Sequence, residues 1–205
     1  MTNDPDVRLA VPRDIPALTE LIASSARILG RGYYTELETE SAIRHVFGVD
    51  SVLIADGTYF VAELDGRIAG CGGWSRRRTL YGGDQRPVGS QDLLDPASEP
   101  ARIRAFFVSP KAVRRGVGRR LFAECVSAAA AYGFESLELM ATLPGVPFYL
   151  ALGFSPVEEV TDVLPDGVRI RFVRMRREQQ RTGPRSQGCL ARSASRVRRA
   201  AKSTR

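Results

Sequence analysis

Between Val113 and Arg119 the chain reads Val-Arg-Arg-Gly-Val-Gly-Arg, directly after an apolar stretch closed by Val108-Ser109-Pro110 and directly before a run with helical periodicity. A helix starting there presents backbone N–H groups that have no intrahelical partner, and its dipole makes that end electropositive. Gly116 and Gly118 have no side chain, so an anion can come close to those N–H groups. Arg114, Arg115 and Arg119 can neutralise it. A pyrophosphate suits such a site. Two other phosphate loops are excluded: there is no Gly-Lys-Ser/Thr for a nucleoside triphosphate, and no G-x-G-x-x-G after an N-terminal strand for a dinucleotide. Without further context, the same residues also describe a helix start with solvated arginines.

Other groups with chemical potential are scattered. His45 is the only histidine; its near-neutral pKa is its sole credential, and the polar surroundings suit a surface residue. Three cysteines, Cys71, Cys125 and Cys189, lack C-x-x-C spacing and with one histidine form no zinc cluster, so reduced thiols and no metal are expected. No serine or cysteine stands in a nucleophile motif, which argues against a covalent acyl-enzyme.

The elements that must position these groups are readable from periodicity. Val7–Val11 alternates as a strand, and Pro12-Arg13-Asp14 breaks it and supplies an N-cap for a helix whose apolar positions run from Ile15 to Leu29. A more polar helix is expected over Thr35–Phe47. Thr58–Leu64 and Arg67–Ser75 flank Asp65-Gly66, a strong hairpin signal. From Arg76 to Pro100 the pattern dissolves into a long connection, a lid or binding loop on one reading and a passive insertion on the other. Ala101–Val108 is the next strand and Gly116–Tyr132 the next helix. Leu137–Ala141 is a strand, Val146–Leu152 a short helix, and Phe154–Val160 and Val168–Met175 a hairpin around Pro165-Asp166-Gly167. The order predicts an α/β fold, a mixed sheet with helices on both faces.

The 205 residues suit one domain, over 1–178, followed by a basic tail, 179–205. The formal charge of +7 belongs to that tail: after Glu178 there are eight basic residues and no acidic one, and the rest of the chain is close to neutral. The tail lacks apolar periodicity and is expected to be disordered; nucleic acid is an unlikely partner except through it. No apolar run approaches the roughly 20 residues of a membrane helix, and the polar start lacks a secretory signal, so a cytoplasmic protein without membrane contact is expected.

Four elements in order give the sequence its resemblance to the GNAT-type N-acetyltransferases: the Asp65-Gly66 hairpin; Phe107-Val108-Ser109-Pro110; Arg114-Arg115-Gly116-Val117-Gly118-Arg119-Arg120-Leu121; and Phe148-Tyr149-Leu150-Ala151-Leu152-Gly153-Phe154. The resemblance spans about Val7 to Met175. It implies a mostly antiparallel sheet of about seven strands, splayed in the middle, and transfer of an acetyl group from acetyl-CoA to a primary amine by direct attack in a ternary complex. It also implies roles for residues. The backbone at Phe107 and Val108 would hold the pantetheine arm and polarise the thioester carbonyl. The amides from Arg114 through Gly116, Val117 and Gly118 to Arg119 would bind the pyrophosphate, and Tyr149 would protonate the departing thiolate. Val113 stands where the family commonly has Gln or Arg. A non-catalytic acyl-CoA sensor is the alternative within the same fold.

An alkylammonium, with a pKa near 10.4, must lose a proton before it can attack. Glu63, Glu99, Glu138 or a water could take it, and the sequence does not distinguish them. The acceptor, a small molecule or a peptide, would meet the two N-terminal helices, the Arg76–Pro100 loop and the last hairpin, where Tyr33, Tyr34, Trp74 and Tyr81 are candidate wall residues. A homodimer would be compatible with this architecture.

Overall fold

The computed structural model describes residues 4–86, 90 and 92–178. The basic tail lies outside the described residues. Seven strands form one sheet: β1 (Asp6–Leu9), β2 (Tyr59–Leu64), β3 (Arg67–Ser75), β4 (Ala101–Val108), β5 (Ser136–Thr142), β6 (Ser155–Val163) and β7 (Arg169–Glu178), in the order β1-β2-β3-β4-β5-β7-β6. Every neighbouring pair is antiparallel except β4 with β5. Helices α1 (Ile15–Leu29), α2 (Glu36–His45) and α3 (Ser51–Ala55) pack on one face, and α4 (Val117–Ala131) packs on the other, with α5 (Val146–Leu150) following β5. The sheet and the helices on both faces are as expected from the order of elements.

The β2–β3 hairpin turns as its residues require. Asp65 and Gly66 both have positive φ, 53° and 72°, the pairing that a tight two-residue turn between right-twisted strands needs. Helix α2 is opened by a capping box in which the Thr35 hydroxyl accepts from the Glu38 N–H and the Glu38 carboxylate accepts from the Thr35 N–H. It ends at His45, two residues short of the expected Phe47, which frees Phe47 to turn into the interior. Helix α3 was not apparent in the pattern; it is only five residues long and is capped by Asp50. Asp14 precedes α1 as expected, but its carboxylate turns back to the Val11 N–H and to Arg8 rather than capping the helix.

Two features open the sheet. Strands β4 and β5 pair only over Ala101–Ile103 and Leu137–Leu139 and then separate, β4 staying with β3 and β5 with β7. Just beyond the parting, a bulge in β4 places Ala105 in the left-handed region at φ 50°. The buried Tyr59 hydroxyl donates to the Ala105 carbonyl at 3.1 Å, which ties the bulge to β2. Past Ile103, therefore, the β5-facing edge of β4 has no strand partner, and its backbone polar groups border a cleft.

Candidate active site

The cleft between the parted strands has a volume of about 850 Å³ and runs from the start of α4, past α5, to the faces of α1 and the last hairpin. Its first end is built from backbone. Arg114 and Gly116 are both left-handed, at φ 64° and 82°, and curl the chain immediately before α4. Such alternation aims successive N–H groups into a concavity, which the helix N-terminus extends. The two glycines serve different ends. A Cβ on Gly116 would meet nothing within 4 Å, so its role is conformational, whereas one on Gly118 would stand 3.1 Å from the Phe148 ring. Gly118 thus lets α4 approach α5 across the cleft.

Phe107, Val108, Arg114, Gly116, Val117, Gly118 and Arg119 all line the cleft. Arg115 does not. Its guanidinium reaches away to Asp65 in the β2–β3 turn, at 3.2 Å, so only its backbone remains near the loop, with its N–H directed to the Ala112 carbonyl. The arginines that line the cleft at this end are Arg114 and Arg119.

Tyr149 lines the cleft from α5, 8% exposed, with its ring edge-on to Phe148 and Phe154 at 5.2 and 5.6 Å. Burial pushes its phenol well above the usual tyrosine range, with the nearby Cys125 adding to the effect. The group is therefore a protonated phenol throughout the neutral range and a weaker acid than an exposed tyrosine.

The second end is built from side chains. Phe107 of β4, Phe47 after α2, and Phe172 of β7 meet edge to face, with centroids 5.8 Å apart for Phe47–Phe107 and 6.2 Å for Phe47–Phe172. Tyr81, from the long connection, closes on Phe172 at 5.5 Å. The Tyr34 hydroxyl donates to the Arg171 carbonyl at 2.7 Å and accepts from the Leu143 N–H at 2.9 Å, joining the end of α1 to the last hairpin; burial raises its pKa to about 12. Residues 81–86 of the connection are held in place rather than loose. Asp84 accepts from the Ser51 N–H and hydroxyl at 2.9 Å, and Arg104, buried beside Asp50 at 2.8 Å, donates to the Gly82 carbonyl.

Of the four aromatic residues expected at the acceptor wall, Tyr34 and Tyr81 are there. Trp74 is not: it is 1% exposed on the α4 side of the sheet, against Tyr132 and Phe134. Nor is Tyr33, which is 47% exposed and lies outside the cleft. The three candidate bases are committed elsewhere. Glu63 pairs with Arg8, Glu99 with Arg78, and Glu138 with Arg102 and Arg174, and none lines the cleft. His45 faces Asp166 of the β6–β7 turn at 3.4 Å, also away from it.

The family described as "Acetyltransferase (GNAT) family" matches residues 20–154. The chain belongs to the GNAT acetyltransferase family. Solved structures share the GNAT fold at low identity. A GCN5-related N-acetyltransferase from Rhodopseudomonas palustris is 19% identical, with a TM-score of 0.63, over 87% of this chain and 98% of that one. The PaiA N-acetyltransferase from Thermoplasma acidophilum, solved with coenzyme A, is 14% identical with a TM-score of 0.58, over 86% and 99%. A phosphinothricin acetyltransferase of the GNAT superfamily from Sinorhizobium meliloti, solved with acetyl-CoA, is 21% identical with a TM-score of 0.56, over 87% and 89%. No curated protein matches at a significant level.

In this GNAT domain the residues missing from the sequence reading are Phe47, Arg104 and Phe172. Each looks like ordinary core in its own segment. Only the folding together of α2, β4 and β7 makes them walls of one cleft, and no local signal distinguishes them.

Proposed function

We propose that the chain is an N-acetyltransferase that moves an acetyl group from acetyl-CoA to a primary amine within a ternary complex. The observation that carries this reading is the unpaired edge of β4 beyond Ile103, which continues into the curled loop at Arg114–Gly116. An extended pantetheine arm can hydrogen-bond that edge as an added strand does. The pyrophosphate would then reach the amides of Gly116, Val117, Gly118 and Arg119, beside the guanidiniums of Arg114 and Arg119.

This threading brings the thioester to the β4 bulge, near Phe107 and Val108, where the Val108 N–H, directed away from β3, can hold the oxygen on which charge develops. Tyr149 gives its proton to the departing thiolate. Even an ordinary phenol pKa of about 10 lies above that of a thiol, and burial raises that of Tyr149 further, so the transfer needs a short, fixed contact, which the Phe148 and Phe154 rings provide by holding Tyr149 in place. No carboxylate or histidine lines the cleft, so water is the proton acceptor in this reading.

The test is release of free CoA from acetyl-CoA by the purified chain, supplied with a panel of primary amines, together with identification of the acetylated amine by mass spectrometry. Amine-dependent CoA release supports the reading. CoA binding with no amine turned over would favour the sensor alternative instead.

A further inference from the structure

All 23 Asp and Glu side chains and the one histidine fall among the described residues, so each can be placed. None is on the cleft wall. Among the described residues, the ionisable side chains there are Arg104, Arg114 and Arg119 together with Tyr34, Tyr81 and Tyr149. Arg114 and Arg119 belong to the phosphate end, and Tyr149 is the proton donor. The acceptor end therefore has Arg104, Tyr34 and Tyr81.

The carboxylates directly behind that wall are occupied. Asp50 faces Arg104 at 2.8 Å and caps α3 through the Leu53 N–H. Asp84 holds Ser51. Asp162 accepts from the Tyr81 hydroxyl at 3.0 Å and from Arg86 at 2.6 Å. Glu138 lies between Arg102 and Arg174. None of these carboxylates reaches the cleft wall, and burial holds the Asp50 carboxyl above the usual carboxylate range despite Arg104, so an ammonium entering this end would find no negative charge on the wall to offset its lost hydration.

The rings do not form a cage for a cation either. The face of Tyr81 is already covered by the Arg86 guanidinium, 4.7 Å from its centroid, and Phe47, Phe107 and Phe172 are turned edge to face on one another. What remains is an apolar lining that another ring or a bulky hydrocarbon can extend.

We propose that the acceptor is an apolar, ring-bearing monoamine that enters the cleft as its uncharged free base, with no side chain of the protein taking its proton. This rests on the acetyltransferase reading above and specifies its substrate. The nitrogen lone pair forms the C–N bond as the C–S bond breaks. The sulfur receives the Tyr149 proton, and the surplus N–H proton leaves to water, from which Tyr149 is reprotonated. Because the protein does not deprotonate the amine, kcat/KM follows the fraction of free base, and the inflection of the pH profile belongs to the substrate.

The experiment uses the full chain, acetyl-CoA and three amines: 2-phenylethylamine, its β,β-difluoro analogue, and spermidine. The first two share a shape but differ in basicity, and their own pKa values are measured by titration. The expected result is a kcat/KM that rises about tenfold per pH unit and levels at each amine's own pKa, so that the inflection moves by the difference between the two. In Asp162→Asn, which removes the one carboxylate able to work through Tyr81, the inflections are unmoved. Spermidine is expected to be at least about 10²-fold poorer, since its further charges have no partner at this end. An inflection common to both phenylethylamines, or one abolished in Asp162→Asn, overturns the proposal, as does a preference for spermidine. If all three amines fail, the proposal falls; the acetyltransferase reading falls with it only if the wider panel of primary amines also gives no CoA release while calorimetry shows CoA binding.

Discussion

The two ends of the cleft are made differently. The proposed phosphate end is a contiguous stretch, Val113 to Arg119, whose polar groups are mainly backbone N–H groups set by two left-handed residues and a helix start. The acceptor end is a meeting of side chains from Phe47, Tyr81, Phe107 and Phe172, four residues from four separate segments. A backbone site can tolerate many side-chain changes so long as the turn survives. A side-chain site changes its ligand when one wall residue changes. On the proposed reading, the GNAT fold in this chain combines a fixed binding device for one substrate with an adjustable one for the other.

The junction between the ends should be the most sensitive point. Tyr149→Phe is expected to lower kcat by roughly 10²–10⁴-fold with CoA affinity unchanged, as measured by steady-state kinetics and calorimetry. An unchanged kcat would remove the phenol from the chemistry. Because burial raises the Tyr149 pKa above its ordinary value near 10, the proton-bearing form persists across the neutral range, and loss of activity through its ionisation belongs only above about pH 10. A kcat that falls between pH 7 and 9 in the wild-type chain and is flat there in Tyr149→Phe would contradict that assignment.

Next in size are variants that separate the ends. Gly118→Leu forces a side chain against Phe148 at the cofactor end and should weaken CoA binding by about tenfold or more, leaving the acceptor KM near its wild-type value. Tyr81→Leu should do the reverse, raising the acceptor KM by about three- to tenfold with CoA affinity intact. The smallest effects distinguish the arginines. Arg114→Ala and Arg119→Ala should each weaken CoA by about three- to tenfold, less so at high salt, while Arg115→Ala stays within about twofold because its charge is spent on Asp65. Equal losses at all three positions would show that the loop acts as a diffuse positive field rather than as a shaped site.

The same contrast explains what could be read from the sequence. The Asp65-Gly66 turn, the glycine-punctuated start of α4 and the strand before it are local events, governed by φ preferences and helix termini, and each appears in the structure within a residue or two of its expected place. The parting of β4 from β5 was implied by family resemblance, but the bulge at Ala105 that accompanies it has no glycine to mark it. Tyr59, 46 positions away, ties it down. Trp74 illustrates the opposite error. An aromatic residue on an amphipathic strand faces one side of the sheet or the other, and the β3 pattern of small and apolar residues, buried on both faces, does not reveal which. The candidate bases failed for a related reason: Glu63, Glu99 and Glu138 look free in sequence because their arginine partners are from 21 to 55 residues distant.

The separation of the ends can be tested directly by calorimetric titration of CoA into the wild-type chain, Gly118→Leu and Tyr81→Leu under one set of conditions. Wild type and Tyr81→Leu should bind alike, and Gly118→Leu should bind at least about tenfold more weakly. CoA binding that is lost equally in both variants, or unchanged in Gly118→Leu, would contradict a cofactor end built from the start of α4 and independent of the aromatic acceptor end.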